Sequence, residues 1–465
     1  MAIDPVVRRA SAMQAELHVP VAIVGAGACG LTAALMLHDA GIECVLLERD
    51  AAPAGSTALS SGFIPAPGTQ VQRARGVADS AQQFAADIQA KAHGTAAAHL
   101  VAAYSEAIGP ALDALQDRHG LQWLLLDDFL YPGHSAYRMH AVPEKTGAAL
   151  MGYLQKAVSA CGTPLLTQAL VRELWLNSQD EVIGVGYQRP DGALEHLACD
   201  ALILACNGFG GNAAMVRQLL SEMSDAIFAG HTGNDGSAIA WGRAMGARLA
   251  DLGGYQGHGS WAVPQGALIT WALMMEGAVQ INALGQRFHD ETLGYSEAAV
   301  QVLAQPGGVA WNVFDQALLT LARSFPDFRE AEAAGAVKRC ADEHALALLI
   351  GCDTSALHTT LQSVSPGAVP PDGRVFTRAL QAPYYAVKVT GALFHTQGGL
   401  DIDAHCHVLH EDGTPFKNLL AAGGAARGVS GDAVWGYLSG NGLLSAIAGG
   451  YIAAQTMKTI LETQA

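Results

Sequence analysis

The sequence predicts an α/β fold of two domains, one inserted into the other. Short apolar strand patterns alternate with helical ones at both ends of the chain. The first pair of strands encloses a glycine cluster. From about residue 214 to 380 the pattern changes to mixed helices and loops, and strands return after Pro383. At 465 residues the chain is long enough for two cores. The first domain is therefore expected from 1–213 and 381–465, and an inserted α+β domain from 214–380.

The glycine cluster reads Val21-Ala-Ile-Val-Gly25-Ala-Gly27-Ala-Cys-Gly30, and a second apolar strand closes with Val45-Leu-Leu-Glu48. Gly25 permits the tight turn, Gly27 lets backbone approach a pyrophosphate, and Gly30 lets the helix pack closely on the strand. The helix N-terminus faces the phosphates, and Glu48, 23 residues after Gly25, can accept hydrogen bonds from a ribose. Strand, glycine turn, helix, strand and acid in that order predict a Rossmann-like site for a dinucleotide.

The remaining elements follow in order. A Ser/Gly/Pro-rich loop covers 55–67, and helical patterns cover most of 76–118 and 144–160. Strands are expected at 165–176 and 182–188, joined by a polar turn. Residues 200–206 form another buried strand that ends in glycines, a second approach to a dinucleotide. Pro370, Pro371 and Pro383 mark the exit from the inserted domain. Strands then read at 384–389, 400–402 and 419–424, and a helix at 442–459. His405-Cys406-His407 and His410 have the composition of a metal site. They alternate ahead of Glu411-Asp412-Gly413-Thr414-Pro415, so a surface hairpin is expected there and no metal is assigned.

Composition narrows the partners. Half the residues are hydrophobic, 15% are charged, and the net charge is −16. That balance disfavours nucleic acid and anionic membrane, while local basic pockets for a carboxylate remain possible. Residues 1–19 are polar and mixed, without a signal-peptide core. No apolar run is long enough for a membrane span, so a cytoplasmic location is expected. The eight cysteines form no C-x-x-C redox pair, haem motif or iron–sulfur run, and read as small buried hydrophobes.

Beyond the first motif, matching segments stand at Ser56-Thr57 to Gly62, Leu204-Ala-Cys206-Asn-Gly208-Phe-Gly210 and Thr232-Gly-Asn-Asp235-Gly236. They continue at Asn282-Ala-Leu-Gly-Gln-Arg287-Phe288-His-Asp-Glu291, Thr390-Gly-Ala-Leu-Phe-His395-Thr-Gln-Gly-Gly399 and Leu420-Ala-Ala-Gly423. In this order they resemble the FAD flavoproteins of the fumarate reductase and succinate dehydrogenase superfamily. The resemblance runs from Val19 onward. It implies FAD in the glycine-rich site and a capping domain that closes over the isoalloxazine. It assigns to the cofactor Gly25, Gly27, Gly30, Glu48, Ser56, Thr57, Ser60, Ser61, Gly62, Val171, Cys206, Gly208, Asp235, Gly423, Gly442 and Leu443. Membrane-complex members attach FAD through a histidine in the loop after the first βαβ unit. Residues 56–62 contain none, which implies non-covalent FAD.

The departures are informative. Fumarate reductases bind a dicarboxylate with two histidines and an arginine, and protonate it with a second arginine. His258 and His395 match the histidines. Tyr437 stands where the clamping arginine belongs, and 314–319 has no arginine for the donor. Those positions resemble the 3-ketosteroid dehydrogenase branch. There a tyrosine four residues after the R-F-x-x-E glutamate is the base, which matches Tyr295. A second tyrosine and a backbone N–H four residues later hold the ketone oxygen, which matches Tyr437 and the Asn441 N–H. The resemblance thus implies an FAD-dependent dehydrogenase, or desaturase, placing a C=C bond α,β to a ketone. Tyr295 would take the α-proton, and flavin N5 the hydride. An unperturbed tyrosine titrates near about 10, so Tyr295 needs positive surroundings or elevated pH.

The histidines suggest that the ketone also carries a carboxylate, as in an oxocyclohexanecarboxylate. Arg427 is either a ligand for that carboxylate or a solvated loop residue. Two further readings stand beside this one: an enoate reductase acting on an unsaturated carboxylic acid, and a carrier flavoprotein with a vestigial site. The electron acceptor (oxygen, quinone or a carrier) is left open.

Overall fold

A computed structural model describes residues 5–464 apart from 369 and 371. Pro371, expected to help mark the domain exit, lies outside the described residues. The chain divides into two units. One comprises Met1–Met215, Gly230–Tyr255 and His395–Ala465, and the other Val216–Ala229 and Gln256–Phe394.

The first unit is built on a parallel sheet. Leu17–Val24 pairs in parallel with Cys44–Leu47 on one side and with Leu194–Leu204 on the other. The end of Leu194–Leu204 pairs in parallel with Leu419–Ala421 of the strand Pro415–Ala421. The helix Ala28–Asp39 follows the glycine turn and is buried along almost its whole length. The closing helix Asn441–Gln464 packs on it. Two glycine requirements are met here. Gly25 has φ +103°, and a Cβ on it would stand 2.5 Å from the Ala205 carbonyl oxygen. A Cβ on Gly30 would collide with the carbonyl of Gly25 itself, as expected for the close packing of helix on turn.

One expectation in this unit is revised. The strand expected over 165–176 is broken into Leu165–Leu166 and Leu170–Leu176. Gln168 adopts φ +53°, and the Ala169 N–H donates to the Glu48 carbonyl. The first piece extends the sheet beside Leu46 and Leu47, while the second pairs with Val182–Gln188. The helical patterns expected over most of 76–118 resolve into two helices, Ala81–Lys91 and Ala98–His119. The 405–415 region is the expected hairpin: His407–Leu409 pairs antiparallel with Pro415–Ala421, and His407 Nδ1 bonds its neighbour Asp403 (3.0 Å). All eight cysteines are free thiols.

The second unit is centred on an antiparallel arrangement. Its sheet runs Ala267–Leu268, Tyr255–Ala262, Tyr384–Thr396, Val309–Asp315, Val279–Ile281, and Lys338–Cys340 also pairs with Tyr384–Thr396. Helices Tyr295–Leu303, Gln316–Ala322 and Glu343–Ile350 pack Val302, Leu318, Leu319 and Leu346 into one apolar core with Phe314, Phe328 and Val387. The inserted region differs from the expected 214–380 at both ends. Gly230–Tyr255 returns to the first unit because Trp241 on helix Ser237–Met245 is buried in that core. Leu249–Ala250 also pairs there with Gly399–Leu400. At the far end the strand begun at Tyr384 continues without a break to Thr396, so the second unit extends to Phe394.

Candidate active site

The glycine turn, Glu48 and the 56–62 loop converge in the first unit. Glu48 accepts from the Ala26 N–H (2.9 Å) and the Asp50 N–H (3.0 Å) through different oxygens. Each oxygen keeps a second lone pair for a ribose hydroxyl. Thr57 Oγ1 accepts from the Ala28 N–H (3.2 Å) at the start of the first helix. Ser56 Oγ accepts from Asn207 Nδ2 (2.9 Å) and Asn234 Nδ2 (3.2 Å). Ser60 Oγ accepts from the Gly62 N–H (3.1 Å), while Ser61 is exposed. Asp235 is held by Arg49 (3.0 Å) and accepts from the Ser237 N–H (3.0 Å) where the next helix starts. Cys206 and Gly208 follow the strand Leu194–Leu204, and burial pushes the Cys206 thiol up to about 12. Val171 lies in the strand that follows the Glu48–Ala169 contact.

These residues fit a flavin dinucleotide. The N-cap of helix Ala28–Asp39 is Gly27, which has no side chain of its own and brings bare backbone to the site. Asn234 Oδ1, Asn441 Oδ1 and Ser445 Oγ are buried and have no partner among the described residues. Buried polar groups are costly unless something satisfies them. A polar ring system bordered by Gly423 and the start of helix Asn441–Gln464 would do so. At that helix start the Leu444 N–H bonds the Gly440 carbonyl, and the preceding N–H groups of Gly442 and Leu443 favour negative charge.

The tyrosine and histidine candidates occur as one pair in each unit. In the second unit Tyr295 is the first residue of helix Tyr295–Leu303, after Gly294. Its ring stacks on His258, with centroids 5.0 Å apart and planes 18° apart. Phe394 stacks on the same imidazole (5.7 Å), and Trp271 meets it edge-on (5.6 Å). His258 Nδ1 accepts from the Ser260 N–H (3.1 Å), so the ring proton sits on Nε2. Burial drives the His258 pKa down to about 3, which keeps the ring neutral.

In the first unit His395 and Tyr437 meet edge-to-face, with centroids 5.6 Å apart. A Cβ placed on Gly442 would stand 3.0 Å from His395 Nε2 and 3.8 Å from the Tyr437 hydroxyl. Both polar atoms therefore point to one spot above the start of the closing helix. Burial lowers the His395 pKa to about 4. Its Nδ1 accepts from Gln397 Nε2 (3.2 Å), and Gln397 Oε1 accepts from the Ser430 hydroxyl (2.9 Å). Ser430 Oγ in turn accepts from Asn441 Nδ2 (3.0 Å).

Two sequence expectations are corrected. The Asn441 N–H, expected as a donor to substrate, is spent on the Leu438 carbonyl (3.0 Å) as the chain turns into the closing helix. The half-buried Arg427 does have an anionic partner, but it lies within the protein. Its guanidinium bonds Asp251 through Nε (2.7 Å) and Nη2 (3.2 Å), and Asp401 through Nη1 (3.3 Å). The 314–319 segment without an arginine carries Asp315. This residue caps helix Gln316–Ala322 and pairs with Arg378.

Sequence reasoning missed a buried ion cluster ahead of Tyr295. Glu291, fully buried, accepts from Arg287 (2.6 Å), Arg374 (2.5 Å) and the Gln280 N–H (2.9 Å). The guanidinium groups hold its carboxyl below the usual range against the cost of burial. Arg287–Glu291 was legible as an i,i+4 pair, whereas Arg374 has no local signal.

Residues 20–443 match the family described as FAD binding domain. The chain belongs to that family. It is 28% identical over 423 residues to an NADH:fumarate oxidoreductase of Klebsiella pneumoniae, covering 88% of this chain and 45% of that protein. It is 22% identical to a 4-oxocyclohex-2-ene-1-carboxylate 5-dehydrogenase of Sinomonas cyclohexanicum, covering 96% and 94%. Its fold matches the open conformation of a flavocytochrome c3 fumarate reductase with a TM-score of 0.81, at 25% identity, covering 96% of this chain and 79% of that one. It matches a 3-ketosteroid-Δ4-(5α)-dehydrogenase of Rhodococcus jostii RHA1 at 0.78, with 22% identity, covering 98% and 100%. The protein is thus a member of an FAD-binding family, and its fold is that of the fumarate reductase and ketosteroid dehydrogenase structures. Among the described residues no helix is long and apolar enough to cross a membrane.

Proposed function

We propose that this flavoprotein is a ketone α,β-desaturase acting on a small cyclic keto-acid of the oxocyclohexanecarboxylate type. The observation that carries this is the pairing of one tyrosine with one neutral histidine in each unit, where a dicarboxylate clamp would need free arginines. Arg427 is neutralised by Asp251 and Asp401 and takes a structural role. The relative named for an oxocyclohexene carboxylate supports the substrate class.

The Tyr437 hydroxyl polarises the ketone, and its hydrogen bond strengthens as negative charge grows on that oxygen. Tyr295 removes the α-proton. It is the first residue of helix Tyr295–Leu303. His258 offers a neutral Nε2–H to a carboxylate oxygen and, stacked between Tyr295 and Phe394, fixes the phenol ring. FAD, bound without a covalent link because 56–62 has no histidine, supplies the acceptor for the hydride leaving Cβ.

A second reading, an enoate reductase, is favoured by the retained histidine pair and the fumarate-reducing relative. Anaerobic mixing separates the two. Under the desaturase reading, 4-oxocyclohexanecarboxylate bleaches the flavin of the wild-type protein. Tyr295→Phe keeps its flavin and loses bleaching by at least about 10²-fold. Re-oxidation of the reduced protein by fumarate or another enoate, with no bleaching by any ketone, would establish the reductase instead.

A further inference from the structure

With the Asn441 N–H spent on Leu438, the first unit has one assigned donor for a ketone oxygen, Tyr437. A single donor is a weak oxyanion site, since each preorganised donor contributes on the order of 10²–10³ in rate. A second polar atom faces the same place. His395 Nε2 and the Tyr437 hydroxyl lie 3.0 and 3.8 Å from the point where a Gly442 side chain would begin. No described residue takes up His395 Nε2.

Which ring nitrogen of His395 carries the proton decides whether Nε2 can donate. A chain of side chains sets this. Asn441 Nδ2 donates to Ser430 Oγ (3.0 Å), and the Ser430 hydroxyl donates to Gln397 Oε1 (2.9 Å). Gln397 Nε2 then donates to His395 Nδ1 (3.2 Å). Each step is directional, and the last leaves the ring proton on Nε2. The Thr396 carbonyl, 3.3 Å from Nδ1, would favour the opposite tautomer if the Gln397 donor were lost. Asn441 and Ser430 are almost wholly buried, so water does not substitute for the relay.

We propose that His395 Nε2–H is the second donor to the ketone oxygen, and that Gln397, Ser430 and the Asn441 side chain are positioning residues that keep the proton there. This rests on the desaturase reading above. The resemblance to the ketosteroid dehydrogenase branch implied residue 441 for the second donor. Under this proposal that residue acts through its side chain, three hydrogen bonds from His395 and four from the substrate.

The test uses the FAD-loaded wild type and Gln397→Leu, with Ser430→Ala as a second variant. Three quantities are read: ¹⁵N shifts of the His395 ring, assigned by comparison with His395→Gln; α-proton exchange of 4-oxocyclohexanecarboxylate in D₂O; and affinity for two analogues. One analogue, 4-hydroxybenzoate, carries an enolate-like oxygen, and the other, cyclohexanecarboxylate, lacks it. The proposal expects an Nε2–H ring in the wild type and Nδ1–H in Gln397→Leu. It expects α-proton exchange and 4-hydroxybenzoate affinity to fall about 10- to 100-fold, with cyclohexanecarboxylate affinity unchanged. His395→Gln, whose amide N–H reaches toward the Nε2 position, should keep more exchange than His395→Leu. An Nδ1–H ring in the wild type overturns the proposal, and this readout does not depend on how either variant folds. A Gln397→Leu enzyme that changes tautomer yet exchanges at the wild-type rate overturns it as well. If the wild type exchanges no ketone α-proton at all, it is the desaturase reading that has failed, and this inference falls with it.

Discussion

At the scale of single residues, the site is defined by charges that have been cancelled. Arg427 shows this best. Its guanidinium bonds Asp251 and Asp401, and Asp401 also pairs with Arg248 (2.6 Å). Removing one member of a largely buried pair leaves the other desolvated and unpaired. Arg427→Ala should therefore cost about 2–4 kcal/mol of stability in denaturant unfolding. Its effect on turnover should be the same for 4-oxocyclohexanecarboxylate and for cyclohexanone. A selective loss on the keto-acid would return Arg427 to the substrate. The sequence left Arg427 as either a ligand for a substrate carboxylate or a solvated loop residue. It could not identify the anions that hold it, because Asp251 and Asp401 lie 176 and 26 residues away. Glu291 repeats the lesson: one partner is four residues away and visible, the other 83 residues away and not.

At the scale of elements, local pattern was sufficient where one element had one job. The glycine turn, its helix and the strand ending at Glu48 have the expected residues in the expected places. Strand 165–176 was misread because its apolar run continues across a left-handed residue, Gln168, that periodicity does not register. The start of the closing helix was placed to within one residue, at Asn441 instead of Gly442. Its backbone chemistry was misassigned because the N–H partner of a helix start depends on how the chain enters it. That entry makes a sharp prediction. His395 lies so close over Gly442 that a Cβ would sit 2.9 Å from its Cε1. Gly442→Ala should push the imidazole aside and lower turnover about 10- to 100-fold in protein of unchanged FAD content. Turnover at the wild-type level would show that the ring has room to spare and that its position is not critical.

At the scale of the whole molecule, three buried histidines and the half-buried His395 give a common response to pH. Burial lowers His134, His140 and His395 to about 4 and His258 to about 3. In the unfolded chain each titrates near about 6.5. Between those values the unfolded state binds protons that the folded state refuses, so stability falls as pH falls. The slope approaches about 1.4 kcal/mol per pH unit for each histidine. Below that window the carboxyls of Glu291 and Asp87, lowered by their partners, add to the loss. The urea midpoint should drop steadily from pH 7 to pH 5. Acid-precipitated protein should leave its yellow flavin in the supernatant, the outcome expected of the proposed non-covalent attachment. A flat midpoint across that range would mean that the histidines are hydrated in solution.

The first unit also sets an order of events during synthesis. A ribosome that has delivered the chain through Met215 has laid down the glycine turn and the strand Leu194–Leu204. The strand that covers residues 202–204 and the helix that packs on Ala28–Asp39 come last, from Pro415 onward. Until they emerge, an apolar sheet edge stands open beside the place where the dinucleotide will lie, inviting pairing with neighbouring nascent chains. Flavin capture should therefore follow synthesis of the segment from Pro415 onward. Messages cut short before Pro415 should yield sticky polypeptide for the cell's chaperones and proteases, with no partially active protein among the products.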